Sequence, residues 1–164
     1  MAKIPRVSHL WSLEFEVIAL GDQGPNYSNL IHVTNGENNG SPGNRYPGVF
    51  VEQGRQRLMI NSYVNNNANY GYYSPEEISR ENWSKVKIQQ FERDAKIIYK
   101  VEINDMTVVE VENTTPAEFY DMTFYAADPW HAQQANVTLK NMVYRRYYTC
   151  NYFDSFVNPY DKLV

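Results

Sequence analysis

Cysteine is nearly missing from this chain: Cys150 is the single example in 164 residues, so no internal disulfide staples the fold. Intracellular residence is the plain explanation of such a count. Basic charge is also short, with 15 Lys and Arg against 19 Asp and Glu, a net charge of -4 and a pI near 5.4. That balance leaves no electrostatic footprint for a polyanion and argues against nucleic-acid binding. No stretch approaches the roughly 20 apolar residues that span a bilayer, and the mean hydropathy of -0.60 argues against a membrane bundle. The opening MAKIPRVSHLW has no long apolar stretch of the leader type, so a secreted form is expected to have lost its leader already. No Gly-x-Ser-x-Gly elbow and no phosphate-cradling glycine motif occurs. His9, His32 and His131 stand a strand or more apart, which is not zinc spacing. Cys150 has no base beside it.

Hydrophobic and aromatic residues are plentiful, at 43% and 15%, which excludes disorder and predicts a sizeable core. They are spaced by two. Trp11, Leu13, Phe15 and Val17 alternate with Ser12, Glu14 and Glu16, as in a half-buried strand. Leu30–Val33, Val49–Val51, Leu58–Ile60, Val86–Gln90, Asp121–Ala126 and Asn136–Tyr144 read as further strands. Ile98–Ile103 leads through Asn104-Asp105 into Thr107–Val111; Asn and Asp tolerate positive φ, so this is the clearest hairpin. A helix is expected only at Ser74–Ser79, where Ser precedes Pro and two acids. About eight to twelve short strands predict an all-β, antiparallel two-sheet sandwich of jelly-roll type. Residues 1–146 form that domain, and the aromatic-rich extension 147–164 packs on it or on a partner. Two stretches break the strand texture as loops: Thr34–Gly48 and Asn65–Gly71. Four sequons, at Asn26, Asn82, Asn113 and Asn136, favour a secreted glycoprotein.

The order of motifs resembles a known superfamily. Trp11-Ser12-Leu13-Glu14-Phe15-Glu16 is followed by Asn29-Leu30-Ile31-His32-Val33-Thr34 and the Gly/Asn-rich loop. Asn82-Trp83-Ser84-Lys85-Val86-Lys87-Ile88 and the Tyr99–Val109 hairpin come next. Phe124-Tyr125-Ala126-Ala127-Asp128-Pro129-Trp130 and Val137-Thr138-Leu139-Lys140-Asn141-Met142 close the series. Over roughly residues 10–146 this is similar to the extracellular concanavalin A-like lectin/glucanase domains, which include laminin-G-like modules. The resemblance implies one convex and one concave sheet. It also implies glycan or protein binding, often with calcium, or polysaccharide hydrolysis. Its hydrolases carry a Glu-x-Asp-x-(x)-Glu strand, which is lacking here. Glu14/Glu16 and Glu110/Glu112 have the right parity for a carboxyl pair, and solubilising strand acids explain them equally. Lyases of this shape use Arg, Gln-x-His and Tyr-x-Lys strands, of which Tyr99-Lys100 and His32 are scattered echoes. An enzyme is therefore not expected.

Calcium takes carboxylates, amide oxygens and carbonyls from a flexible loop. Glu37 and Asn38, joined by Asp128, are the candidate ligands; the alternative is a glycine-rich turn. A glycan site needs planar amide or guanidinium groups with an aromatic face. Asn35, Asn44, Arg45 and Tyr46 offer these on one loop, Asn69, Tyr70, Tyr72 and Tyr73 on a second, and Trp130 and His131 on a third. In the alternative, Arg45 pairs with an acid, Trp130 fills the end of the sandwich and Asp128 caps its own turn. The expected function is a secreted, non-enzymatic, lectin-like module for a glycan or extracellular glycoprotein, with calcium as its one candidate cofactor. The competing expectation is an adhesive domain that forms a homo-oligomer through Tyr147, Tyr148, Tyr152, Phe153, Phe156 and Tyr160.

Overall fold

The computed structural model describes residues 1–22, 24, 26–52, 54–131 and 135–147, and the backbone of 162–163. Trp11, Leu13, Phe15 and Val17 bury completely or nearly so, while Glu14 and Glu16 between them stay half-exposed; this is β2 (Leu10–Ala19). The same alternation makes β7 (Ser84–Arg93) beside it, with Glu14 opposite Lys87 and Glu16 opposite Lys85. The remaining strands are β1 (Ala2–Val7), β3 (Ser28–Thr34), β4 (Gly48–Val51), β5 (Arg57–Val64), β6 (Asn67–Glu77), β8 (Lys96–Ile103), β9 (Met106–Glu112), β10 (Phe119–Ala126), β11 (Val137–Tyr147) and β12 (Lys162–Leu163). The first sheet runs β1-β10-β3-β4-β5-β6 and the second β12-β11-β2-β7-β8-β9, with every neighbouring pair antiparallel.

Between the sheets lie Ile4, Ile31, Val33, Val49, Ile60 and Met122 from the first, against Trp11, Leu13, Phe15, Ile88, Tyr99 and Val101 from the second. Each such side chain contributes about 1.5–3 kcal/mol on leaving water. A polar chain crosses this core. Gln90, fully buried, donates to Tyr46 Oη at 3.1 Å and accepts from Asn113 Nδ2 at 2.7 Å. Tyr46 in turn donates to the Ala117 carbonyl at 3.1 Å.

Three hairpins close on two residues, both at positive φ: Asn65-Asn66 (52°, 60°), Asp94-Ala95 (53°, 57°) and Asn104-Asp105 (51°, 62°). That geometry matches the right-handed strand twist. Asn104-Asp105 agrees with the sequence expectation. Asn65–Gly71 does not: the loop contracts to Asn65-Asn66, and β6 begins at Asn67. The helix expected at Ser74–Ser79 is absent too, because β6 continues to Glu77. The Ser74 hydroxyl accepts from Leu58 N at 3.0 Å and donates to the Glu76 carbonyl at 2.7 Å, clamping an irregular edge rather than capping a helix. Pro75 falls at the register shift between the Arg57 and Met59 pairs, where an edge strand tolerates a missing donor.

At the other end, Tyr147 closes β11 opposite Leu10, one residue beyond the expected domain boundary, and its hydroxyl lies 3.2 Å from Ser12 Oγ. Lys162–Leu163 pair with Tyr144–Arg145 on the edge of the second sheet. Tyr148, Tyr152, Phe153, Phe156 and Tyr160, expected above to form a partner contact, lie outside the described residues, as does Cys150.

Candidate functional site

The outer faces of the two sheets differ in chemistry. On the second, acids meet bases: Glu14 with Arg145 at 2.8 Å and Lys87 at 3.7 Å, Glu16 with Lys140 at 3.4 Å, and Glu110 and Glu112 with Arg93 and Lys96 at 2.5 and 2.8 Å. The acid pairs of catalytic parity are thus ion-paired residues of a solvated face. On the first sheet all seven residues of β3 are buried, so its outer face is covered as well as its inner one. Two segments supply that cover, 35–47 and 127–131.

Loop 35–47 starts from Thr34, whose hydroxyl accepts from Gly36 N at 3.1 Å and Glu37 N at 3.2 Å. Gly43, at φ 85°, is required twice, since a Cβ there would meet the Phe119 ring at 2.8 Å. Tyr46 then turns inward. It sits 5.2 Å from Trp11 and 4.9 Å from Phe119 between ring centroids, and burial pushes its phenol pKa well above the usual value. With Tyr46 fixed inside, Arg45 projects over the outer face. Its Nε donates to Asn38 Oδ1 at 3.0 Å and its Nη1 to Asn69 Oδ1 at 2.5 Å. The guanidinium lies 5.1 Å from the Phe50 ring centroid. Burial lowers its pKa, which Asp128 and Tyr73 only partly offset.

Segment 127–131 is pinned by one carboxylate. Asp128 Oδ1 accepts from the backbone of Trp130 and His131, both at 3.0 Å, and lies 2.8 Å from His131 Nδ1; Oδ2 lies 2.6 Å from His32 Nδ1. Burial alone would raise this carboxyl, but the hydrogen bonds from His131 and His32 outweigh it and hold the pKa far below the usual carboxylate range. The second nitrogen of His32 faces the Asn44 carbonyl at 2.5 Å. His32 is thus held between two acceptors, a carboxylate on one side and a carbonyl on the other. Asn29, at the β3 bulge, adds a further tie by accepting from Asp128 N at 3.0 Å.

These contacts assemble an aromatic band. Phe50 packs against His131 at 5.2 Å and His32 at 5.8 Å, His32 against Trp130 at 5.5 Å, and Trp130 against Tyr125 at 5.6 Å. Beside it Tyr125, His32, Gly48, Asn61 and Gly71 lie in register across β10, β3, β4, β5 and β6, and two of the five lack side chains. The Phe50 ring and the Arg45 stem fill the space at Gly48, 2.8 and 3.3 Å from where a Cβ would stand, and Asn61 Nδ2 lies 2.9 Å from where one would stand at Gly71. His32, Gly48 and Asn61 are buried, whereas Gly71 is exposed beside the Arg45–Asn69 bridge.

Of the residues singled out in the sequence, the structure brings together Asn44, Arg45, Asn69, Tyr73, Asp128, Trp130 and His131. It does not bring in Tyr46, which is interior, nor Tyr70 and Tyr72, which pack against the core side with Tyr70 6.0 Å from Tyr99. Asn35 is exposed on the loop, where it donates to the Pro42 carbonyl at 3.5 Å. His32 and Phe50 are the members that sequence reasoning missed, since both look like ordinary strand residues.

The calcium assignment does not fit the residues present. All of Asp128's acceptor capacity is committed to histidine and backbone donors. Asn38 Oδ1 already accepts from the Arg45 cation, and Glu37 accepts from Asn39 at 2.5 Å. Among the described residues no cluster of three His, Cys, Asp or Glu is placed to hold a metal. The Asn113 sequon is also structural: its side chain is buried, bonded to Gln90, and accepts from Asn65 N at 3.0 Å. Asn26, Asn82 and Asn136 are exposed.

No family model matches the chain, and no curated protein matches it in sequence. Among solved structures it is similar to a heptameric SAP-like pentraxin from Limulus polyphemus, at 14% identity and a TM-score of 0.53, covering 88% of this chain and 66% of that one. It is also similar to an endo-beta-1,4-glucuronan lyase from Trichoderma reesei, at 12% identity and TM-score 0.50, covering 87% and 71%. A carbohydrate binding module from Bacillus subtilis aligns at 13% identity and TM-score 0.45, covering 87% and 76%. At these identities the likeness establishes the fold, a jelly-roll sandwich of two antiparallel sheets. The chain spans about two-thirds of the pentraxin's length.

Proposed function

We propose that this chain is a carbohydrate-binding module of the concanavalin A-like type, with its site on the outer face of the first sheet. One observation carries the reading: a guanidinium–amide bridge, Arg45 to Asn69, stands beside the exposed Gly71, on the face that holds an aromatic band ending in the exposed Trp130. Sugars need that combination, since their hydroxyls take planar bidentate partners and their C–H faces pack on rings. A polysaccharide-acting protein, the glucuronan lyase, shares the sandwich, which agrees with glycan recognition on this architecture. Binding without bond cleavage is the better reading because both oxygens of Asp128, the carboxylate at the band, are held by four donors. That leaves it no capacity to act as a base.

Calorimetric titration of the folded chain against neutral and acidic oligosaccharides, with and without chelator, tests this. Millimolar or tighter binding is expected, unchanged by chelation, and weakened at least about tenfold by Trp130→Ala, the scale of one lost stacking contact. The reading falls if no sugar in the panel binds at millimolar concentration.

A further inference from the structure

Arg45 is a partly buried cation with no carboxylate partner among the described residues. Arg6, Arg57, Arg80, Arg93 and Arg145 each reach a carboxylate oxygen. The two hydrogen bonds of Arg45 go instead to the neutral amide oxygens of Asn38 and Asn69. The carboxylate that acts on it from a distance, Asp128, is already met by His32 and His131. A guanidinium withdrawn from water without a counter-ion is costly unless something else supplies the charge.

The geometry also shows which part of the group remains available. Among the described residues Nε and one proton of Nη1 are used, leaving the second Nη1 proton and both Nη2 protons as donors for an incoming carboxylate. The fork is held rigid by Asn38 and Asn69 at two corners, by the Phe50 ring beneath it, and by its neighbour Tyr46 locked in the core. Gly48 leaves the space that Phe50 and the Arg45 stem occupy. Such pre-organisation lowers the cost of ordering a long side chain on binding.

We propose that Arg45 is the carboxylate anchor of the site, and that the glycan it takes is acidic, a uronic-acid-bearing saccharide lying along the exposed Gly71 of β6. This rests on the carbohydrate-binding reading above and narrows its ligand class.

The test uses hexamers of glucuronate, galacturonate and mannuronate, each beside its carboxyl-reduced neutral counterpart, titrated calorimetrically against wild type, Arg45→Lys and Arg45→Gln. Folding of each variant is checked by thermal melting. At least one acidic hexamer is expected to bind tenfold or more tighter than its reduced form, a ratio that grows as salt falls. Arg45→Gln should abolish that preference, so that the acidic hexamer and its reduced form bind it with equal affinity. Arg45→Lys should retain only part of it, since a point charge cannot bind the carboxylate bidentately. Equal binding of acidic and reduced hexamers overturns the carboxylate anchor and leaves the carbohydrate-binding reading standing. An acidic preference that survives Arg45→Gln also overturns it. Failure of every hexamer, charged and neutral, to bind folded wild type removes both proposals together.

Discussion

Asp128 accepts from His32, His131 and two backbone amides while fully screened from solvent, so one residue fixes both the loop and the ring beneath it. Asp128→Asn keeps the shape but leaves His32 and His131 without their carboxylate partner. A loss of about 3–5 kcal/mol is expected in urea unfolding at pH 7, the scale for breaking one half of a buried pair. The pH dependence has a definite sign. The folded carboxyl titrates below its unfolded value of about 3.9, so its stabilisation is complete above that value and drains away as pH falls from about 4 toward the folded pKa. Unfolding followed from pH 7 to pH 2 should therefore show a steep acid limb that Asp128→Asn flattens. Tyr46→Phe tests the opposite side of the sandwich. It strands the Ala117 carbonyl and one Gln90 proton and should cost about 1–3 kcal/mol. Neither residue's role could be read in the sequence. Arg45 and Tyr46 stand side by side in a loop with no periodicity, so nothing in their order says that one faces solvent and the other the core. Asp128 was legible as a turn cap, and the buried histidine it also serves was not.

Elements were read well wherever residues alternate and poorly wherever an edge or a turn broke the pattern. β2, β7 and the Asn104-Asp105 hairpin follow from spacing and turn chemistry alone. The β7–β8 hairpin hid because Ala95 is not a residue one expects at φ 57°. That left-handed backbone costs an L-residue about 1–2 kcal/mol, of which glycine's greater unfolded-state freedom cancels part. Ala95→Gly should raise stability by about 0.5–1 kcal/mol, a gain of roughly 2–4 °C per kcal/mol in Tm for a domain of this size. A fall in Tm would contradict the turn geometry. His32 and Phe50 escaped for a related reason. A strand covered on both faces has no polar side to reveal, and the covering loops are distant in the chain.

At the scale of the whole molecule the two outer faces differ, one an ion-paired solvent surface and the other a loop-roofed face that carries the proposed site. The absence of a fitting calcium ligand set predicts that millimolar calcium or chelator leaves Tm unchanged, since a cation bound only by the folded state would raise it by mass action. Differential scanning calorimetry in the two buffers decides the matter. Tyr46 has a wider consequence. It spans from the loop to Trp11 on the far sheet and Gln90 beyond it, so the guanidinium's position is set partly by packing deep inside. A library selected for altered ligand preference should accordingly return hits at Trp11 and Phe119 as well as at the rim, and a search restricted to surface codons would overlook the interior levers by which this module's taste is tuned.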